Sequence, residues 1–124
     1  MKNAIDWFQI PVLDMDRAIK FYNSIFSAHI LAMDIAGAKV APLPYDRENG
    51  GVGGALYLGA GFVPSHHGTV VLLNAGNDLS EVLSRVEEAG GQIVLPKTGL
   101  TNNSGFMARF IDCEGNLVGL HSLN

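Results

Sequence analysis

Tyr57 and His121 stand 64 positions apart, and both are residue types that can pass a proton. Histidine gains and loses a proton near neutrality, which suits general acid–base work. Tyr57 reads otherwise as a core residue with its hydroxyl at a rim, and His121 as a structural histidine near the end of the sequence. Other reactive-looking groupings read more simply. His66 and His67 are adjacent, so in an extended loop they point opposite ways, and no Cys or Glu lies beside them to complete a metal set. "VPSHHG" therefore reads as a surface linker. Asp46, Arg47 and Glu48 lie in a Gly-flanked loop, a solvated turn with a lid as the alternative. Cys113 follows Asp112 in a turn with no neighbouring histidine, whereas a catalytic thiol needs an electropositive partner. "GGVGG" lacks a phosphate-loop lysine and opens a strand, so it reads as turn and β-bulge.

The spacing of 64 recurs in the elements around these residues. In "IPVLDMDRAIKFYNSIF", Asp14 is a good N-cap, because its carboxylate can accept a free N–H of the first turn. Met15, Ala18, Ile19, Tyr22 and Ile25 then fall on one helical face, with Arg17, Lys20 and Asn23 opposite. In "NDLSEVLSRVEEAGG", Asp78 is the corresponding cap, with Glu81 in capping-box position. Leu79, Val82, Leu83, Val86 and Ala89 form the matching face, and Gly90 and Gly91 end the helix. "AIDWFQIPV" and "TVVLLNA" precede the two helices as strands. Further strands are expected at about 28–34, 38–43 and 52–58, and at about 92–97, 105–112 and 117–123, with "PLPYDRENGG", "GAGFVPSHHG", "KTGLTNNSG" and "DCEGN" as loops. The reading is a duplicated βαβββ unit in an α+β fold. A four-stranded sheet with one helix leaves one face open, and two such sheets edge to edge would curl around a shared cleft.

Composition agrees with one domain over 1–124, with module 1 at about 1–62 and module 2 at about 67–124. The 124 residues suffice for one core. Hydrophobic residues make up 48% against 16% charged, which argues against disorder. The net charge of −4 and the lack of a Lys/Arg run argue against a nucleic-acid or anionic-membrane surface. A single cysteine rules out an intrachain disulfide and suits a reducing compartment. "MKNAIDWFQI" has no signal-peptide core and no apolar run reaches transmembrane length, so a cytoplasmic protein is expected.

With "IPVLDMDRAIKFYNSIF" at the start, "FIDCEGNLVGLHS" at the end and two βαβββ units between, the sequence resembles the vicinal oxygen chelate superfamily. That group includes glyoxalase I, extradiol dioxygenases and the fosfomycin- and bleomycin-resistance proteins, and the glyoxalase-related branch is the nearest in pattern. The resemblance implies a curved, cleft-enclosing pair of modules and, commonly, a homodimer. It also implies a divalent metal held by one His or Gln on the first strand and one Glu on the last strand of each module. Those positions fall here on Trp7, on Val71 (or Val70 if Asn77 is the cap), on Ala55 and on Gly119. None of these side chains can ligate a metal, so no metal and no cofactor is expected.

Residues two apart on a strand share a face. The expected cleft lining is therefore Trp7, Gln9, Tyr57 and His121, with Gly53, Ala55 and Gly119 leaving space. Trp7 could stack on a planar ring or simply fill the space of a metal, and Gln9 could orient a carbonyl or satisfy buried backbone. An apolar pocket with aromatic walls and few polar groups suits a small organic ligand. The expected function is metal-free binding of such a molecule. The alternative is a metal-independent lyase or isomerase with His121 or Tyr57 as acid–base group, and the sequence leaves enzyme status open.

Overall fold

A computed structural model describes residues 2–124. The first unit runs β1 (Trp7–Pro11), α1 (Met15–Phe26), β2 (Met33–Ile35), β3 (Ala38–Pro42) and β4 (Gly53–Leu58). The second runs β5 (Val71–Asn74), α2 (Ser80–Ala89), β6 (Gln92–Gly99), β7 (Phe106–Ile111) and β8 (Leu117–Ser122). Each unit forms a four-stranded sheet with one strand order, β1-β4-β3-β2 and β5-β8-β7-β6. In both, the first strand lies parallel to the last and the other pairs are antiparallel. This is the expected α+β architecture of paired βαβββ modules. No helix among the described residues is long and apolar enough to cross a membrane.

Local chemistry accounts for most element boundaries. Asp14 caps α1 in extended conformation, its carboxylate accepting the Arg17 N–H at 3.1 Å. At the second helix the Asp78 carboxylate accepts the Ser80 N–H at 2.9 Å, and Lys97 sits 3.0 Å away. The Ser80 N–H first, then Lys97, lowers the Asp78 carboxyl to about 2. Regular α-helix begins only at Ser80, two residues after this aspartate. Gly90 ends α2 at φ 110°, a left-handed conformation that glycine adopts without strain. The strand expected over 28–34 is shorter, Met33–Ile35. The Ile30 N–H turns back to Asn23 Oδ1 at 2.8 Å, so this stretch is tied to α1 instead of the sheet.

The helix-side faces of both sheets and both helices share one core. Ile10, Ala41 and Leu56 enter it from the first sheet, and Leu73, Phe110, Val118 and Leu120 from the second. Phe21 of α1 packs on Phe110 of β7 with ring centroids 5.9 Å apart. Phe21, absent from the expected apolar face, lies on it with Ala18, Tyr22 and Ile25 and is buried with them.

The turn after β7 clamps the two units together. The Glu114 carboxylate accepts the Leu13 and Asp14 N–H groups, both at 2.8 Å, and pairs with Arg17. It thereby satisfies donors at the start of α1 from a residue of the opposite module. Burial opposes ionisation of Glu114, but the Arg17 hydrogen bond and the two N–H groups outweigh it and hold the carboxyl below its ordinary value. A carboxyl depressed in the folded state stabilises fully above its unfolded value, and that contribution drains as pH falls through the folded value. The urea midpoint of the native protein should therefore fall as pH drops below about 4.5. Glu114→Gln should start lower at neutral pH and flatten this acid limb; equal slopes for the two proteins would remove Glu114 as its source.

Candidate functional site

Strand alternation leaves each sheet with a second face that is outside the shared core. Trp7, Gln9 and Pro11 pair with Gly53, Ala55 and Tyr57 in parallel register, which puts all six on the outer face of the first sheet. Val40 and Met33 continue this row across β3 and β2. The face is apolar and aromatic. Tyr45, from the loop after β3, meets Trp7 edge-on at 5.7 Å. A Cβ at Gly53 would lie 2.5 Å from the Tyr45 ring, so only glycine lets that ring lie flat against the strand. Tyr57 packs on Phe62 of the connecting loop, centroids 4.7 Å apart. Tyr45 and Phe62 were missed because each lies in a stretch whose Gly, Pro and polar residues read as plain loop.

The second sheet repeats the pattern with more polar residues. Leu72 and Asn74 of β5 pair with Gly119 and His121 of β8, and these with Arg109 and Met107 of β7. Val71 packs against the shared core, so of the two positions marked by the resemblance only Val70 keeps step with exposed Leu72. His121 Nε2 lies 2.7 Å from the Ser104 carbonyl.

The positions marked for a metal do not fit one. Trp7, Val70, Ala55 and Gly119 supply no coordinating atom. A Cβ at Gly119 would lie 2.7 Å from Leu72 Cγ, so Leu72 already fills the space there. Among the described residues no three His, Cys, Asp or Glu side chains gather into a metal-holding group. Cys113 is a poor nucleophile: burial first, then the Glu114 charge, raises its thiol to about 12.

Neither of two hollows in the single chain brings the four candidate lining residues together. Gln9 lines a hollow of about 240 Å³ at the seam between β1 and β5, walled by Ser65 and His67 of the connecting loop and by Asn116. His121 lines a different hollow of about 490 Å³ with Leu72 and Asn74. Trp7 and Tyr57 line neither, and Trp7 stands 40% exposed on its open face.

This fold, with its two equivalent sheets and outward faces, defines a class of protein. The chain belongs to the Glyoxalase/Bleomycin resistance protein/Dioxygenase superfamily, whose profile matches residues 4–120. Among solved structures it is similar to a glyoxylase/bleomycin resistance protein/dioxygenase domain from Frankia sp. EAN1pec, at 16% identity and TM-score 0.69, covering 98% of each chain. It is similar to the fosfomycin resistance protein FosX from Listeria monocytogenes, at 16% identity and TM-score 0.64, covering 98% of this chain and 92% of that one. It also matches glyoxalase I from Zea mays, at 21% identity and TM-score 0.64, over 95% of this chain. It spans only 45% of that maize protein. No curated protein matches the chain.

Proposed function

We propose that this protein, a single two-module domain acting in the cytoplasm, binds a small organic molecule without the family's metal. The molecule lies against the outward sheet faces, in a cleft that a homodimer completes from the first sheet of one copy and the second sheet of another. The observation that carries this reading is the first sheet's outer face, an aromatic wall of Trp7, Tyr45 and Tyr57 standing where the resemblance calls for metal chemistry. Aromatic walls with few polar groups suit flat, partly apolar ligands. The dimer is supported by the outward direction of both faces within one chain, and by Met33, Ile35 and Leu72, each nearly half exposed on these faces.

A paired-mutant experiment tests both parts, with 8-anilinonaphthalene-1-sulfonate as the flat amphipathic probe. Trp7→Ala and His121→Ala should each weaken its binding about tenfold, about 1.4 kcal/mol. Co-expressing the two variants under separate tags should return about a quarter of the sites to native affinity, since half the dimers are mixed and each mixed dimer holds one intact cleft. Mixed dimers without recovered sites would place the whole cleft within one chain. Native affinity in both single variants would remove the binding reading.

A further inference from the structure

Two polar side chains on the second sheet have their hydrogen-bonding direction fixed by backbone groups. Asn74 and His121 are direct partners across β5 and β8, on the outward face, and both line the hollow with Leu72, Gly76 and Leu123. Asn74 Oδ1 accepts the Gly76 N–H at 2.9 Å. An N–H can bond only to the amide oxygen, so the Asn74 NH₂ is left as a donor. His121 Nε2 lies 2.7 Å from the Ser104 carbonyl, which can only accept. Nε2 must therefore carry the proton, and in the neutral ring Nδ1 is left as an acceptor. One donor and one acceptor of set polarity thus belong to directly paired residues on neighbouring strands, whose backbones run about 4.8 Å apart.

The loop between β6 and β7 is shaped to hold this arrangement. Asn102 and Asn103 have φ of 60° and 56°, and Gly105 has φ of 89°. Left-handed backbone costs free energy at the two asparagines, and it persists here in the turn that delivers the Ser104 carbonyl. A side chain at Gly105 would strike the Ser122 carbonyl at 2.3 Å and crowd His121 Nε2 at 3.1 Å.

We infer that Asn74 and His121 form a recognition pair for a ligand edge carrying a carbonyl beside an N–H, the cis-amide edge of a lactam or cyclic imide. The ligand carbonyl accepts from the Asn74 NH₂ and its N–H donates to His121 Nδ1, while Leu72 and Leu123 flank the apolar part of the ring. This rests on the binding reading above and names the ligand chemistry of its second-sheet half.

Nitrogen-15 NMR of the native chain tests it, with succinimide as probe and N-methylsuccinimide as the analogue lacking the donor. In its neutral form, His121 should show a protonated Nε2 and an unprotonated Nδ1. Succinimide should shift the amides of 72–76 and 121–123 and the Nδ1 resonance, with N-methylsuccinimide at least tenfold weaker. Asn74→Asp keeps the acceptor for Gly76 but loses the NH₂, and should weaken succinimide at least tenfold. The opposite tautomer, equal binding of both imides, or undiminished binding by Asn74→Asp would overturn the assignment. If succinimide shifts nothing while the anilinonaphthalene probe still quenches Trp7, the only tryptophan, the pair is wrong and the binding reading stands. If neither probe responds, both are wrong.

Discussion

Asp112→Ala is expected to cost about 4 kcal/mol, a large share of the stability of a domain this size. Asp112 is only 4% exposed, and its two carboxylate oxygens take four hydrogen bonds. Oδ2 accepts the Tyr22 hydroxyl at 2.7 Å and Asn116 Nδ2 at 3.1 Å, while Oδ1 accepts the Glu114 and Asn116 N–H groups, both at 2.9 Å. Burial first, then the Asp112 charge, pushes the Tyr22 hydroxyl well above its ordinary value, so it stays a donor. Truncating Asp112 strands this phenol and two backbone donors in the interior at once. A stranded donor costs about 1–3 kcal/mol. Tyr22→Phe removes one donor and leaves the carboxylate three, so it should cost only about 1 kcal/mol. Urea unfolding of the two variants checks this: a loss in Asp112→Ala no larger than in Tyr22→Phe would mean the network is not what joins α1 to the second sheet.

Gly105→Ala is expected to destabilise by about 3 kcal/mol, from left-handed backbone and overpacking together. The clash is with backbone, the Ser122 carbonyl at 2.3 Å, so no rotamer change relieves it. Relief requires the loop to move away from β8, and that motion carries the Ser104 carbonyl off His121. Two readouts should change together: a lower urea midpoint, and a His121 ring whose proton is shared between its nitrogens. Gly37→Ala is the control. Gly37 also has positive φ, at 84°, but its Cβ would meet nothing within 4 Å, so its cost should be about 1 kcal/mol with His121 unaffected. Equal costs for the two glycines would leave backbone conformation as the whole effect and remove the contact with β8 from the explanation.

The duplication was readable because it is written in local chemistry. Caps, helical faces and strand alternation each depend on residues a few positions apart, and the 64-residue offset repeats them. Period two also put Trp7 and Gln9 on one face, as the register with Gly53 and Ala55 has it. Contacts between the halves were not readable. "DCEGN" reads as punctuation, yet its Asp112 and Glu114 bind Tyr22 and the start of α1 roughly a hundred residues earlier. "TNNSG" reads as a surface loop, yet its Ser104 carbonyl holds His121. A carbonyl's partner leaves no trace in side-chain type. The separation of Gln9 and His121 into two hollows was hidden for the same reason, because it depends on how one module turns against the other.

Phe21 lies against Phe110, and a side chain at Gly91 would run into both Phe21 and the Ile111 carbonyl. Volume added to one repeat at this junction has to be given up by the other. The two copies are thus bound to change in concert here, while residues on their open faces are free to diverge. A protein built this way can acquire new specificities on its surfaces over evolutionary time and keep the same hidden joint.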